Sequence, residues 1–140
     1  MQRLYPDKLG RLLYNSLYER LLSFAQQYTP EIPSQPIIHS WLERFYQGDK
    51  DIHILVNLDD SYNIKSHAII EVQEAYSCKI VICHQTLHNS NNIASLTEGV
   101  EYIDKLCNEI NATCSMFLVT KHIKALESKY GYKVSRTMMI

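Results

Sequence analysis

The sequence predicts a mixed α/β chain, α+β in its layout, in which a central sheet of about six strands is flanked by four helices. Three observations predict it. Apolar residues recur at three- and four-residue steps in four separate stretches, the period of a helix with one buried face. From residue 51 the period changes to two, as in strands. The last part of the chain then alternates strand, helix, strand, helix, strand, an order in which ligands sit at the carboxyl ends of strands near a helix N-terminus.

Residues 2–5 are expected to form a short first strand. A long helix follows, with Leu9, Leu12, Leu13, Leu17, Leu21 and Leu22 on one face and Asp7 as its N-cap. Thr29-Pro30-Glu31-Ile32-Pro33 ends it, because each proline removes a backbone donor and restricts the residue before it. Ser34 is expected to cap a second helix with Pro36 in its first turn. Its stripe is Ile37, Ile38, Trp41, Leu42 and Phe45, and Gly48 ends it. Ile52, Ile54, Val56 and Leu58 alternate with His53, Leu55 and Asn57, a half-buried strand. After the Asp59-Asp60-Ser61 turn, a second strand covers 63–74. A third covers 78–85, where the apolar run Ile80-Val81-Ile82-Cys83 reads as a central strand covered on both sides. The polar stretch 88–92 leads into a third helix with the stripe Ile93, Leu96, Val100, Ile103, Leu106 and Ile110. A short strand at 115–119, a fourth helix over about 121–129 closed by Gly131, and a strand at 132–140 complete the order β-α-α-β-β-β-α-β-α-β.

Composition bounds the function. With 140 residues, 46% hydrophobic and 21% charged, the chain reads as one domain, 1–140, with a real core. Fourteen basic residues against fifteen acidic ones leave a formal charge of −1, which argues against a dedicated nucleic-acid binder. No apolar run is long enough to cross a membrane, and residues 1–7 lack the apolar core of a signal peptide, so an intracellular (cytoplasmic) protein is expected. Cys78, Cys83, Cys107 and Cys114 form no C-x-x-C pair and are expected as reduced, buried thiols, with no metal site. Tyr14, Tyr18, Tyr28, Tyr46 and Tyr62 lie in or near the first half, a distribution that would suit a protein partner or a second copy of the chain if several are exposed together.

Ser115-Met116-Phe117-Leu118-Val119 followed by His122-Ile123-Lys124-Ala125-Leu126-Glu127-Ser128-Lys129-Tyr130-Gly131-Tyr132 resembles the closing strand–helix–strand of the GNAT superfamily, the Gcn5-related N-acetyltransferases. The order of elements over nearly all the chain resembles it too. The His-Ile-Lys-x-Leu phrasing is similar to GNAT-like proteins of tailed bacteriophages, some of them internal virion proteins. The resemblance implies a GNAT-like fold and, if the chain is active, acetyl-CoA as acyl donor to an amine by direct attack. It places the pyrophosphate loop at residues 84–95, so Gln85, Asn89, Asn91, Asn92, Ile93 and Ala94 become the candidate coenzyme contacts. The family's loop uses glycines to bring backbone N–H groups to phosphate, and this stretch has none. The family's acid, a tyrosine four residues before the Gly-aromatic pair, corresponds here to Glu127.

Two residues point to base chemistry. His84, near the end of the presumed central strand, would lie beside a thioester and could deprotonate an amine; the plainer reading is a strand-end histidine with a satisfied hydrogen bond. Glu71 on the neighbouring strand is a second candidate base, although Glu71 and Glu74 also read as solvated. Cys83 and His84 should point to opposite faces, which argues against shared metal ligation. Lys121, Lys124, Lys129, Lys133 and Arg136 read as a charged outer face. The expectation is a divergent GNAT-fold protein with a degenerate acyl-CoA site, serving as a structural or interaction subunit, with a virus particle as one setting. The alternative is an acetyl-CoA-dependent N-acetyltransferase.

Overall fold

The alternating segments over 52–87 pair with their neighbours in chain order, because short turns join them and each has an apolar face to bury. The computed structural model describes residues 1–87, 93–118 and 123–134. The elements are β1 (Gln2–Arg3), α1 (Lys8–Leu12), α2 (Tyr14–Tyr28), α3 (Ser34–Tyr46), β2 (Ile52–Leu58), β3 (Ile64–Ala75), β4 (Cys78–Leu87), α4 (Ile93–Ile110), β5 (Cys114–Phe117) and α5 (Ile123–Tyr130). One sheet runs β1-β2-β3-β4-β5. Its first three pairings are antiparallel, and β4 pairs parallel with β5 through the α4 crossover.

Helices cover both faces. Leu17, Leu21, Ile38 and Leu42 of α2 and α3 meet Ile54 and Ile69 of the sheet. On the other side Ile103 and Leu106 of α4 meet Leu55, Ile70, Val81 and Cys83. Leu126 of α5 packs on Leu96 and Val100.

Several expectations are corrected. The first long helix is two helices, making five rather than four among the described residues. Leu13 leaves helical geometry at φ −86°, ψ 1°, turning its own side chain inward and leaving Leu12 71% exposed instead of on the buried face. Asp7 does cap α1, its Oδ1 accepting from the Gly10 N–H at 3.1 Å. Ser34 caps nothing: α3 starts after Pro33, and the Ser34 hydroxyl donates to the Ile32 carbonyl. Strand β2 is covered on both faces rather than half-buried, with Leu55 fully enclosed and His53 buried among polar partners. There the Tyr102 hydroxyl lies 2.7 Å from Nδ1, and Nε2 donates to the Lys50 carbonyl at 3.0 Å. Only Cys83 is a fully buried thiol, and Cys114 is exposed. Five strands are described rather than about six: residues 132–134 are in no strand, and the rest of the expected last strand lies outside the described residues. Gly131 takes φ +74°, and the Tyr132 N–H turns back to the Leu126 carbonyl, closing α5 as expected.

The β3–β4 hairpin turns on Tyr76 and Ser77, both at positive φ (53° and 64°). Two such residues in a two-residue loop match the sign pattern of a type I′ turn, which favours Asn-Gly. The double variant Tyr76→Asn/Ser77→Gly is expected to gain about 1 kcal/mol by relieving this left-handed strain. A higher urea midpoint at unchanged slope checks it.

Candidate functional site

The site begins with a defect in strand pairing. Ile70 faces Cys83 and Ile69 faces Gln85, so His84 is the extra residue of a β-bulge. The bulge resets the alternation. Cys83 enters the α4-side core, while His84 and Gln85 both reach groups on the α2–α3 side. The opposed directions expected for Cys83 and His84 therefore hold. Pairing of β4 with β5 ends at the same place, Cys83 opposite Phe117, followed by a Leu118 N–H to Cys83 carbonyl bond at 3.0 Å. Strand β4 runs on to Leu87, past its last described pairing with β5.

His84 is held by Glu71. Its Nε2 donates to Glu71 Oε1 at 2.7 Å. Arg44 Nη1 donates to Oε2 at 2.5 Å, and the Gln73 amide donates to Oε1 at 2.9 Å. Arg44 is itself anchored, its Nε donating to Asp49 Oδ2 at 2.8 Å. Glu71 is 7% exposed, so the expectation of a solvated side chain fails for it and holds for the exposed Glu74. Burial alone would push the Glu71 carboxyl up, but the donors from Arg44, His84 and Gln73 outweigh it and hold it below its ordinary range. A carboxylate can only accept, so the hydrogen sits on His84 Nε2. In the neutral ring, Nδ1 is then the basic nitrogen.

A cleft of about 270 Å³ opens beside this pair. Phe24 and Ala25 of α2, Trp41 of α3, His84 and Gln85 of β4, and Leu118 beyond β5 contribute to its wall. The Trp41 ring lies 4.8 Å from that of His84, tilted by 34°. The side chain of Gln85, a candidate coenzyme contact, bonds within the protein. Its Oε1 accepts from His67 Nε2 at 3.0 Å and its amide donates to the Leu21 carbonyl at 3.2 Å. Arg20 Nε donates to the other nitrogen of His67 at 2.8 Å, which ties α2 to the sheet at the back of the cleft.

Among the other candidates, one can be placed away from this cleft. Glu127 is exposed on α5 and is not among the residues that line the cleft. Ile93 and Ala94 open α4. Asn89, Asn91 and Asn92 lie outside the described residues. Sequence reasoning missed Arg44 and Gln73 as partners of Glu71. It also read Trp41 only as core. The available signal was a lone arginine on α3 three residues beyond Trp41, which puts both on one helix face.

No protein-family model matches the sequence, and no curated protein matches it. Solved structures do match in shape. A probable acetyltransferase superposes at TM-score 0.69 and 11% identity, over 100% of this chain and 98% of that one. A predicted acetyltransferase from Clostridium acetobutylicum, solved with acetyl-CoA, gives 0.68 and 13% over 99% and 92%. An aminoglycoside 6′-N-acetyltransferase from Acinetobacter baumannii gives 0.65 and 9% over 99% and 93%. At these identities the likeness speaks for architecture alone, and the mixed sheet with α4 crossing from β4 to β5 is the fold of the GNAT acetyltransferases.

Proposed function

We propose that the chain is an acyl-CoA-dependent N-acyltransferase in which His84 is the general base and Glu71 its positioning residue. The observation that carries this reading is the bulged His84, held by a buried carboxylate and lining a cleft at the end of the described β4–β5 pairing. In this reading an acyl-CoA, lying where the described β4–β5 pairing ends, supplies the thioester. In the reaction the amine nitrogen forms a bond to the thioester carbonyl carbon, and the carbon–sulfur bond breaks. His84 Nδ1 takes one proton from the nitrogen, and that proton ends on the departing thiolate, so amide and free thiol are the products. Glu71 fixes the ring tautomer and balances the imidazolium that forms. Arg44 keeps Glu71 ionised and in place.

A second reading keeps the fold as a scaffold, an interaction subunit in a homo-oligomer or a larger assembly such as a virus particle. The absence of glycine from residues 84–95 favours it, because glycine is the residue that lets backbone N–H groups approach pyrophosphate most closely. Calorimetry separates the two. The acyltransferase reading expects acetyl-CoA to bind more tightly than roughly 1 mM, about 4 kcal/mol, with thiol released when an amine is added. Absence of both at millimolar coenzyme leaves the scaffold reading.

A further inference from the structure

We propose that the cleft beside His84 receives the acyl acceptor as a ring-bearing apolar monoamine, an inference that rests on the acyl-transfer reading above. Among the described residues, no Asp, Glu, Lys or Arg lines the cleft. Glu71 stands behind His84, occupied by three donors. The polar side chains in the wall already spend hydrogens on the protein. The Thr29 hydroxyl donates to the Ala25 carbonyl at 2.9 Å, the Ser34 hydroxyl to the Ile32 carbonyl at 3.3 Å, and the Gln85 amide to the Leu21 carbonyl. What those hydroxyls and His84 Nδ1 still offer is lone pairs, which suit the N–H groups of an amine. The rest of the wall is Phe24, Trp41, Leu118 and aliphatic side chains, a surface for an apolar body.

Charge decides the class. An acceptor with one amino group loses its only charge when the nitrogen is freed for attack, so nothing ionic remains buried. A diamine or polyamine would leave a second ammonium against apolar side chains, without a counter-ion among the described lining residues. The volume, about 270 Å³, suits one ring with a short amine-bearing arm rather than an oligosaccharide.

Trp41 is the chain's only tryptophan, so its fluorescence reports on the cleft without turnover. The experiment titrates the full chain with 2-phenylethylamine and with putrescine, then measures acetyl transfer from acetyl-CoA to each. The expected result is saturation by 2-phenylethylamine at a concentration at least tenfold lower than by putrescine, with kcat/KM favouring it by tenfold or more. Saturation without any product supports the cleft assignment and sinks the acyl-transfer reading. Product with putrescine preferred, or equal, overturns the acceptor class and leaves acyl transfer standing. No saturation by 2-phenylethylamine overturns the proposal. A rim substitution gives a second reading of the same point: Leu118 is 45% exposed, so Leu118→Asp should fold. It is expected to shift preference toward putrescine by tenfold or more, and an unchanged ratio counts against the proposal.

Discussion

Replacing His84 with alanine is expected to lower kcat/KM for acetyl transfer by roughly 10²- to 10⁴-fold, the usual worth of a positioned general base. The loss should fall on kcat, with the KM for acetyl-CoA little changed, because His84 is assigned to proton transfer rather than to holding the coenzyme. Glu71→Gln tests the positioning role separately. The amide keeps the shape of the carboxylate but no longer balances an imidazolium, and kcat is expected to fall by at least about tenfold at constant KM. Glu71→Asp, which restores charge with a shorter reach, should recover part of it. Steady-state kinetics on the three variants check this. An unaltered kcat in His84→Ala would remove the base from the mechanism.

The same carboxylate makes a pH prediction with a definite sign. The Glu71 carboxyl titrates below its ordinary value of 4.5 in the folded chain, because donors from Arg44, His84 and Gln73 outweigh the opposing effect of burial. Its stabilisation is therefore complete above that value and drains away as pH falls through the folded-state value. Wild type should lose more stability than Glu71→Gln over that acid window, a difference that denaturant midpoints at several pH values would show.

Gly10→Ala is the substitution expected to damage the fold most for its size. A Cβ there would sit 2.0 Å from the Tyr5 carbonyl oxygen and 3.1 Å from its carbon. Backbone of the β1–α1 corner cannot yield as a flexible side chain can. The Gly10 carbonyl also accepts from the Tyr46 hydroxyl at 2.6 Å, which fixes α1 against α3. The cost is expected to be about 3 kcal/mol or more, a fall in Tm of roughly ten degrees for a chain of this size. Helix propensity alone gives the opposite sign, a gain of about 1 kcal/mol for alanine over glycine. Gly99→Ala is the control. A Cβ at Gly99 meets nothing within 4 Å, so there the propensity gain should appear as a rise in Tm.

The resemblance in the last strand–helix–strand and the order of elements were enough to anticipate the fold, and periodicity placed β2, β3, β4, α3 and α4 within a few residues of where they lie. Those elements were legible because their patterns are long and a local period reports directly which face is buried. The break at Leu13 was not, because the run of leucines continues through it and the chain bends to seat Leu13 rather than Leu12. The half-buried reading of β2 failed for a similar reason. Alternation identifies a strand but does not say that α4 will cover its second face.

For the candidate site, the sequence by itself singled out His84 and Glu71 and the neighbourhood of strands in which they stand. Only the tertiary structure decided that they touch, that Arg44 and Gln73 complete the carboxylate's partners, and that the Gln85 side chain joins His67. The physical reason is the bulge. One extra residue in β4 shifts every side chain after it to the other face of the sheet, and that shift depends on register with β3, which no local pattern in β4 encodes.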